Sequence, residues 1–292
     1  MDILNYLYRV IDLPFKIRNR MLRKINKMSS YSSNAANSDS QETFYEKAIA
    51  KITRSEKELN RFRRIYNYRE ILEHLDYRMG INYICNTDRE TLIEVTRHPN
   101  VKKAESIGKP RQFRYKGIGM ISPTTLRYIA TGIDIDSKID LSQIETIAEI
   151  GAGYGGQINV INSLHPRKRY LVFDLPKVQT LIKHFLASIS PIDVSMKNIN
   201  DYKPEQVDLV ISNYAFSELP KVIQIEYLEK LISKSENGYM LMNSGFTDIT
   251  GISSGKVNLD DIKRYLPNVE VLPEIPLTSP DNYLLIWRKA AK

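Results

Sequence analysis

Four glycines fall within the six residues Gly151–Gly156, directly after a short apolar run at 144–150. Residues without a side chain let the backbone turn sharply and approach a ligand closely where the next helix begins. Gly151, Gly153 and Gly156 also satisfy the spacing G-x-G-x-x-G. The pattern predicts a strand, a tight turn and a helix in succession, and the glycines alone leave open whether that turn holds a ligand.

Short apolar runs alternate with helical segments from residue 141 onward. The strand-like runs are 144–150, 169–173, 191–195, 207–212 and 238–242, and the helical segments between them are 156–164, 176–188 and 219–234. Such alternation is typical of a parallel sheet with helices on both faces. Two final runs, 269–272 and 283–288, are joined by a connection too short for a helical crossover, so they should be antiparallel. We predict an α/β fold with a mostly parallel, Rossmann-like sheet whose last strand is antiparallel.

The chain before that sheet divides into three parts. Residues 1–28 are basic, with apolar residues at helical spacing, which predicts an amphipathic helix. That helix can lie on an anionic membrane surface, or dock on protein as the alternative. Residues 29–40 are rich in Ser and Asn and predict a linker. Residues 41–140 predict a helical accessory region on the acceptor side of the domain formed by 141–292.

Helix boundaries within the accessory region follow from local signals. The stretch 41–79 is without Pro and Gly, and predicts one long helix or two consecutive helices ending at Gly80. Ser122, followed by proline, is a typical N-cap, and predicts a helix that Gly132 closes.

Charge is distributed unevenly along the chain. The formal net charge is +8, of which residues 1–28 carry +5, residues 29–140 carry +4 and residues 141–292 carry −1. An enzyme that acts on nucleic acid more often has a basic stripe beside its catalytic site. The near-neutral C-terminal half therefore argues against a nucleic-acid partner, and the basic lead-in favours a docking surface, with a homo-oligomer left open.

Composition also limits the compartment and the kinds of site. Cys85 is the single cysteine, which excludes internal disulfides and a cysteine-based zinc site. Nowhere does an apolar run approach the roughly 20 residues of a membrane span. The first apolar stretch contains Asp2, Arg9 and Asp12, unlike a signal peptide. We expect a cytoplasmic protein, in peripheral contact with the inner membrane face if residues 1–28 bind lipid.

Two acids distinguish the cofactors that the glycine turn could hold. Asp174 lies 21 residues after Gly153, at the end of the second strand, where an acid accepts hydrogen bonds from a ribose. Both nicotinamide and S-adenosylmethionine enzymes need such an acid. Glu149 lies two residues before the first glycine, where it would repel a pyrophosphate and attract the cationic end of S-adenosylmethionine. The sequence favours S-adenosylmethionine, with a nicotinamide-dependent oxidoreductase as the alternative.

Four segments together resemble a family of sugar O-methyltransferases within the class I methyltransferase fold. They are EIGAGYGG at 149–156, FDLP at 173–176, SNYAFSELP at 212–220 and YLLIW at 283–287. The resemblance covers most of residues 110–292, including SPTTLRY at 122–128. It implies an S-adenosylmethionine-dependent O-methyltransferase that methylates a hydroxyl of a sugar or glycan precursor. A non-sugar small molecule as acceptor is the nearest alternative.

The resemblance also implies which residues bind the cofactor. The glycine loop with Glu149 would hold the methionine part, and Asp174 the ribose. Asn213 would hold the amino-carboxylate end or the acceptor hydroxyl. Asp201 would accept from the adenine amine with Tyr202 near the ring, although 200–202 also fit an ordinary solvated turn. The full set of predicted cofactor-binding residues is Glu149, Gly151, Ala152, Gly153, Tyr154, Gly155, Asp174, Leu175, Asn200, Asp201, Tyr202 and Asn213.

A sugar hydroxyl is a poor acid, so transfer needs a base or a metal. The four histidines, His74, His98, His165 and His184, form no metal-ligand pair, and no metal site is predicted. Glu218, in the loop after the fourth strand, is the better candidate for the base, with capping of the next helix as the alternative. Glu274 is the second candidate, or else a plain connector acid.

Acceptor-side residues are predicted near the same loop and before the sheet. Tyr214 and Ser217 lie beyond the fourth strand, at the carboxyl edge where open α/β sheets bind ligands. Arg127 and the segment 111–121 combine basic and aromatic residues, which suits an acceptor wall that contacts a sugar and a phosphate. A solvated basic hairpin is the alternative for that segment.

Overall fold

A computed structural model describes residues 47–243, 256–279 and 282–289. The predictions for residues 1–28 and 29–40 lie outside these described residues. Contacts divide the chain into two compact units, with the division between Ala130 and Thr131. No helix in the described ranges is both long and apolar enough to cross a membrane.

The N-terminal unit is built from short helices and one β-hairpin. After helical residues 47–52, its helices are α1 (Glu56–Leu59), α2 (Tyr66–Leu72), α3 (Tyr77–Cys85), α4 (Arg89–Arg97), α5 (Pro99–Ala104) and the first half of α6 (Pro123–Lys138). A 3-10 turn, Phe62–Arg64, separates α1 from α2. The hairpin pairs β1 (Phe113–Tyr115) with β2 (Gly119–Ile121) in antiparallel register.

Two glycines predicted to end helices lie inside them instead. Gly80 lies within α3, where a Cβ would come within 2.0 Å of the Tyr115 hydroxyl oxygen, so the position needs glycine for space. The described part of the predicted stretch, 47–79, forms several short helices rather than one or two long ones. Gly132 lies within α6, which continues to Lys138, and a Cβ there would meet Val160 at 3.0 Å. Close packing, which a single sequence does not reveal, explains both glycines.

The start of α6 is as predicted. The Ser122 hydroxyl accepts a hydrogen bond from the Thr125 backbone N–H at 3.1 Å, as an N-cap does, and Pro123 is the first helical residue. The division between the two units falls within this helix.

The C-terminal unit is built on a seven-stranded sheet. Its strands are β3 (Thr146–Ile150), β4 (Arg169–Phe173), β5 (Asp193–Lys197), β6 (Val207–Asn213), β7 (Ser235–Met242), β8 (Glu270–Pro273) and β9 (Tyr283–Trp287). Their order is β5-β4-β3-β6-β7-β9-β8. All neighbours from β5 to β7 are parallel, and β9 is antiparallel to both β7 and β8. The predicted fold class is confirmed.

Helices follow β3, β4, β6 and β7 along the chain. They are α7 (Gly156–Leu164), α8 (Pro176–Ala187), α9 (Ala215–Glu218), α10 (Lys221–Lys230) and α11 (Leu259–Tyr265). The strands inside the sheet are largely apolar, as is usual for strands covered on both faces. All five residues of β9 are buried, as are the last four of β3. Because β3 is parallel to both β4 and β6, the carboxyl ends of these three strands meet at one edge of the sheet, where the glycine turn begins.

Candidate functional site

The glycine turn lies at the carboxyl end of β3. Gly151, Gly153 and Gly155 all have positive φ angles, of 74°, 61° and 90°, which L side chains rarely adopt. At Gly151 space is also limiting, because a Cβ would come within 2.1 Å of the Ala215 Cβ. The backbone is thereby pressed against the start of α9, and Gly155 is the N-cap of α7. The turn presents main chain, with few side chains, toward a ligand.

Glu149 is a buried carboxylate beside this turn. The residue is 2% exposed, and its Oε2 atom has no hydrogen-bond partner among the described residues. Burial, and secondarily the charge of Asp174, raises the pKa of Glu149 to about 8. An isolated buried carboxylate is costly, so a cationic donor placed here would be bound favourably.

Asp174 follows β4, next to the glycine turn. Its Oδ2 accepts from the Gly153 N–H at 3.2 Å and its Oδ1 from the Leu175 N–H at 2.8 Å. Burial raises the pKa of Asp174 to about 7, although those backbone hydrogen bonds favour the charged form. Part of the residue's surface stays accessible, which leaves a side from which a ligand hydroxyl could approach.

Asn213 ends β6 at the same edge of the sheet. Its Oδ1 is buried and has no hydrogen-bond partner among the described residues, and its Nδ2 donates to Gln157 Oε1 at 3.4 Å. In the register of β3 and β6, Glu149 pairs with Ile211, two residues before Asn213. Two acceptor oxygens without partners thus belong to adjoining strand ends. Gln157, fully buried in the first turn of α7, was missed by the sequence analysis, because a lone glutamine after a glycine turn carries no motif.

Two predicted cofactor residues point their rings into the core. Tyr154 is 1% exposed and packs edge-on against Phe185 at 4.7 Å between ring centres, so a cofactor would meet its backbone. Tyr202 packs edge-on against Phe173 at 5.0 Å, and its hydroxyl accepts from the Glu205 N–H at 3.3 Å. This packing gives Tyr202 a structural role that needs no ligand.

The remaining predicted cofactor residues differ in exposure. Ala152, within the glycine turn, is buried, and Leu175 is half-buried. Asn200 and Asp201, after β5, are exposed and thus accessible to a ligand. The adenine contacts of 200–202 stay a prediction.

Glu274 forms a closed polar cluster with its neighbours. The carboxylate is 4% exposed and accepts hydrogen bonds from the Tyr214 hydroxyl, from the Thr278 N–H at 2.8 Å and from the Thr278 hydroxyl at 2.8 Å. Tyr214 itself has a φ of 71° as the N-cap of α9. These contacts fit the alternative of a connector acid, and the catalytic role of Glu274 stays a prediction.

Glu218 is the last residue of α9. The Asn243 Nδ2 donates to its Oε1 at 2.9 Å, and the Lys256 Nζ donates to its backbone oxygen at 2.5 Å. The capping alternative is not realised, because α10 starts after Pro220 without a side-chain cap. Surrounding protein raises the pKa of Glu218 to about 7, while Lys256 and Asn243 oppose the rise. The residue is also exposed to water, which favours the charged form.

Ser217 and Arg127, two of the predicted acceptor-side residues, are both buried. Ser217 is fully buried; its hydroxyl donates to the Tyr214 oxygen at 2.6 Å and accepts from the Asn243 N–H at 3.1 Å, which ties α9 to the end of β7. Arg127 belongs to the N-terminal unit, where its buried guanidinium stacks over the Tyr128 ring at 5.2 Å. Their substrate roles stay predictions. Within the described ranges, no group of three or more metal-ligating side chains is suited to hold an ion.

Residues 128–211, which include the glycine turn, Glu149 and Asp174, match the family described as an O-methyltransferase domain. The matched segment covers 84 of the chain's 292 residues and is consistent with a class I methyltransferase. The resemblance drawn from the four sequence segments is thereby confirmed at the level of the class. The match also supports the predicted enzyme type, an S-adenosylmethionine-dependent O-methyltransferase, and S-adenosylmethionine as its cofactor.

Several solved structures are similar to this chain. An O-methyltransferase family protein from Burkholderia thailandensis is 13% identical, over 58% of this chain and 61% of its own, with a TM-score of 0.39. PigF, solved with SAH, is 15% identical over 53% of both chains, with a TM-score of 0.41. The mitomycin 7-O-methyltransferase MmcR is 10% identical over 77% of this chain and 70% of its own, with a TM-score of 0.43. The chain thus spans about three fifths and about half the length of the first two. No curated protein matches it.

Proposed function

We propose that this methyltransferase transfers a methyl group from S-adenosylmethionine to a hydroxyl of a sugar or glycan precursor. The observation that carries the cofactor site is the pair of partnerless buried acceptors, Glu149 Oε2 and Asn213 Oδ1, beside the glycine turn. An α-ammonium group has the charge and the donors that these two oxygens lack. The acceptor class rests on the resemblance of segments 173–176 and 212–220 to sugar O-methyltransferases.

Each group at the sheet edge has a role in this proposal. The bound cofactor supplies an activated methyl group for in-line displacement. Glu149 and Asn213 would hold the amino end of the cofactor, and Asp174 would hold its ribose hydroxyls. The glycine turn, which has few side chains, would let the cofactor approach the main chain closely. Glu218 takes the proton from the acceptor hydroxyl at its carboxylate, one oxygen of which Asn243 already holds. The upward direction of its pKa strengthens it as a base, because a more basic carboxylate accepts a proton more readily.

Thermal unfolding with added ligands tests the cofactor. S-adenosylmethionine or S-adenosylhomocysteine at 100 times its dissociation constant should stabilise the folded state by about 2.7 kcal/mol, and NAD or NADP should not. Asp174→Ala should abolish that shift. Asp193→Ala is the matched control, since this exposed aspartate begins β5 at the opposite edge of the sheet. Stabilisation by NAD alone would overturn the cofactor assignment.

Methyl transfer from labelled S-adenosylmethionine to a panel of monosaccharides, nucleotide-linked sugars and phenols tests the acceptor. Glu218→Gln should keep the thermal shift and lower turnover by about 10²–10⁴-fold, the range of a general base. Methylation of phenols alone would replace the sugar with the non-sugar alternative. Unchanged turnover in Glu218→Gln would remove this residue as the base.

We further propose that residues 1–28 hold the protein at the inner face of a membrane. The support is their net charge of +5, against −1 for residues 141–292, together with their helical apolar spacing. Co-sedimentation with vesicles containing anionic lipid should decrease when these residues are removed. Equal sedimentation of the truncated and full chains would favour docking on protein.

A further inference from the structure

Lys256 donates hydrogen bonds to backbone oxygens at the C-terminal end of α9, the helix that contains Glu218. Its Nζ donates to the backbone oxygen of Glu218 at 2.5 Å and to that of Leu219 at 2.7 Å. Carbonyls at the end of a helix lack intrahelical partners, so such donors stabilise them. Lys256 precedes α11 in the chain, 38 residues after Glu218, so the contact joins two distant segments.

Asn243, which follows β7, contacts the side chain of Glu218. Its Nδ2 donates to Glu218 Oε1 at 2.9 Å, while its backbone N–H donates to the buried Ser217 hydroxyl at 3.1 Å. Asn243 follows β7, the strand that pairs with β6 before α9. The main chain of Glu218 is thus held by Lys256 and one carboxylate oxygen by Asn243, which leaves the second oxygen for an acceptor.

The charges near this carboxylate come from few elements. Lys256 is half-buried, and its positive charge acts on Glu218 to lower the pKa of the carboxyl, against the larger raising effect of the surrounding protein. From α10, Lys221 is 3.4 Å from Asp261 of α11 and makes an ion pair there. From β7, the contacting residue is the neutral Asn243. Among the described residues, Lys256 is therefore the cation that acts on Glu218.

We propose that Lys256 is a positioning residue for the base: it fixes the backbone at Glu218 and keeps the carboxylate charged and ready to accept a proton. This inference rests on the proposed function, because it takes Glu218 as the base. A lysine that merely closes the end of α9 would stabilise the fold without affecting how turnover depends on pH.

The test measures kcat between pH 5.5 and 9.5 in the full chain, with thermal unfolding as a check of folding. Lys256→Gln retains a donor for the two carbonyls but removes the charge. The midpoint of the rising limb of the profile should move up by about half to one pH unit, because Glu218 loses a favourable neighbour. Activity at pH 6.5 should fall by about three- to tenfold and recover at high pH.

Three further variants complete the test. Lys256→Met removes charge and donor, and should add a loss of kcat at every pH. Lys256→Arg should restore the profile of the unmodified chain. Lys221→Met is the matched control, since it removes a lysine of the neighbouring helix that pairs with Asp261, and it should leave the midpoint unchanged. If Lys256→Met does not fold, the Gln and Arg variants decide the question.

The outcomes separate this inference from the function on which it rests. An unmoved midpoint in Lys256→Gln, with turnover still lost in Glu218→Gln, overturns the role of Lys256 and retains the base. A loss of kcat in Lys256→Gln that high pH does not recover also overturns it, since the charge of Lys256 would then act on something other than the proton affinity of Glu218. Full turnover in Glu218→Gln overturns the base itself.

Discussion

Each unit contains a buried carboxylate, Glu73 in the N-terminal unit and Glu149 in the C-terminal unit, and the surroundings of these two differ. In the N-terminal unit, Glu73 is 5% exposed and lies 2.5 Å from the Arg63 Nε, and Glu105 accepts from the Ser122 N–H at 2.7 Å and Gln112 Nε2 at 2.9 Å. Arg63 also donates to the Ser122 hydroxyl at 2.8 Å. Burial raises the pKa of Glu73, and Arg63 counteracts that rise.

The C-terminal unit offers Glu149 no such cation. Its Oε2 has no partner among the described residues, and its pKa is raised to about 8. A buried polar group without a partner is destabilising, and remains in a fold where function requires it. The comparison teaches that burial alone does not distinguish Glu149 from Glu73, whereas the missing partner at Oε2, next to the glycine turn, does.

The largest expected effect breaks the paired cluster. Arg63→Met leaves the buried Glu73 and the half-buried Glu105 without their cation, and should lower the free energy of unfolding by about 3–5 kcal/mol, measured in urea. Replacing Glu73 by Leu in the same chain should recover most of the loss, because no charge then remains unpaired at that position. A loss below about 1 kcal/mol in the single variant would show that Arg63 does not support this cluster.

The glycine turn should be nearly as sensitive. Gly151→Ala places a Cβ 2.1 Å from that of Ala215 at a φ of 74°, and should cost about 2 kcal/mol or more and abolish the shift with S-adenosylmethionine. Gly119→Ala is the matched control: its φ is 110°, but no atom lies within 4 Å of the added Cβ. Conformation alone should then cost about 1–2 kcal/mol. Equal losses would mean that contact with α9 is unimportant.

The unpaired carboxylate should make the cofactor-free protein sensitive to pH. The pKa of Glu149 is higher in the folded state than the ordinary value of 4.5, so the folded protein binds the proton more tightly. Its stabilising contribution is present at low pH and is lost as the pH rises toward about 8. Stability should fall by at most about 1.4 kcal/mol per pH unit per group over this range.

Melting temperatures from pH 5 to 8.5 check that slope. Glu149→Gln should flatten it in part, leaving the contribution of Asp174, whose pKa is also raised, to about 7. Saturating S-adenosylmethionine should reduce the slope in the unmodified chain. A slope identical in Glu149→Gln would remove this carboxylate as its source.

A surface ion pair sets the lower end of the scale. Arg169 and Glu205 lie 2.9 Å apart with side chains 43% and 30% exposed. Arg169→Ala should change the free energy of unfolding by about 0.2–1 kcal/mol, less at high salt, because water and ions screen the pair. A loss comparable to that of Arg63→Met would contradict the distinction between buried and exposed pairs.

Much of the C-terminal unit could be predicted from its sequence. The helix Gly156–Leu164 and the strand Arg169–Phe173 have the predicted bounds, and the antiparallel terminal strands follow from a connection too short for a crossover. These features depend on residues that are close together in the sequence, so they can be predicted without knowledge of the tertiary contacts. Gly80 and Gly132 were wrongly predicted to end helices. Each is needed because Tyr115 or Val160 packs closely against it, and the neighbouring sequence does not indicate those contacts.

The candidate site was predictable to a similar degree. Glu149, Asp174 and Asn213 come from strand ends, which a topology argument brings to one edge. Gln157, Asn243 and Lys256 were not found, because their contacts with Asn213 and Glu218 join residues 25 to 56 positions apart.

The sequence by itself determined the α/β class, the glycine turn and the two acids beside it, since these follow from periodicity and spacing. Only the tertiary structure decided which carboxylate oxygens have hydrogen-bond partners. Glu274 is closed by Tyr214 and Thr278, and Glu218 is held by Asn243 through one oxygen, whereas Glu149 keeps an oxygen without a partner among the described residues. The physical reason is that hydrogen bonding and burial depend on distances between segments remote in the chain, and those distances exist only after folding.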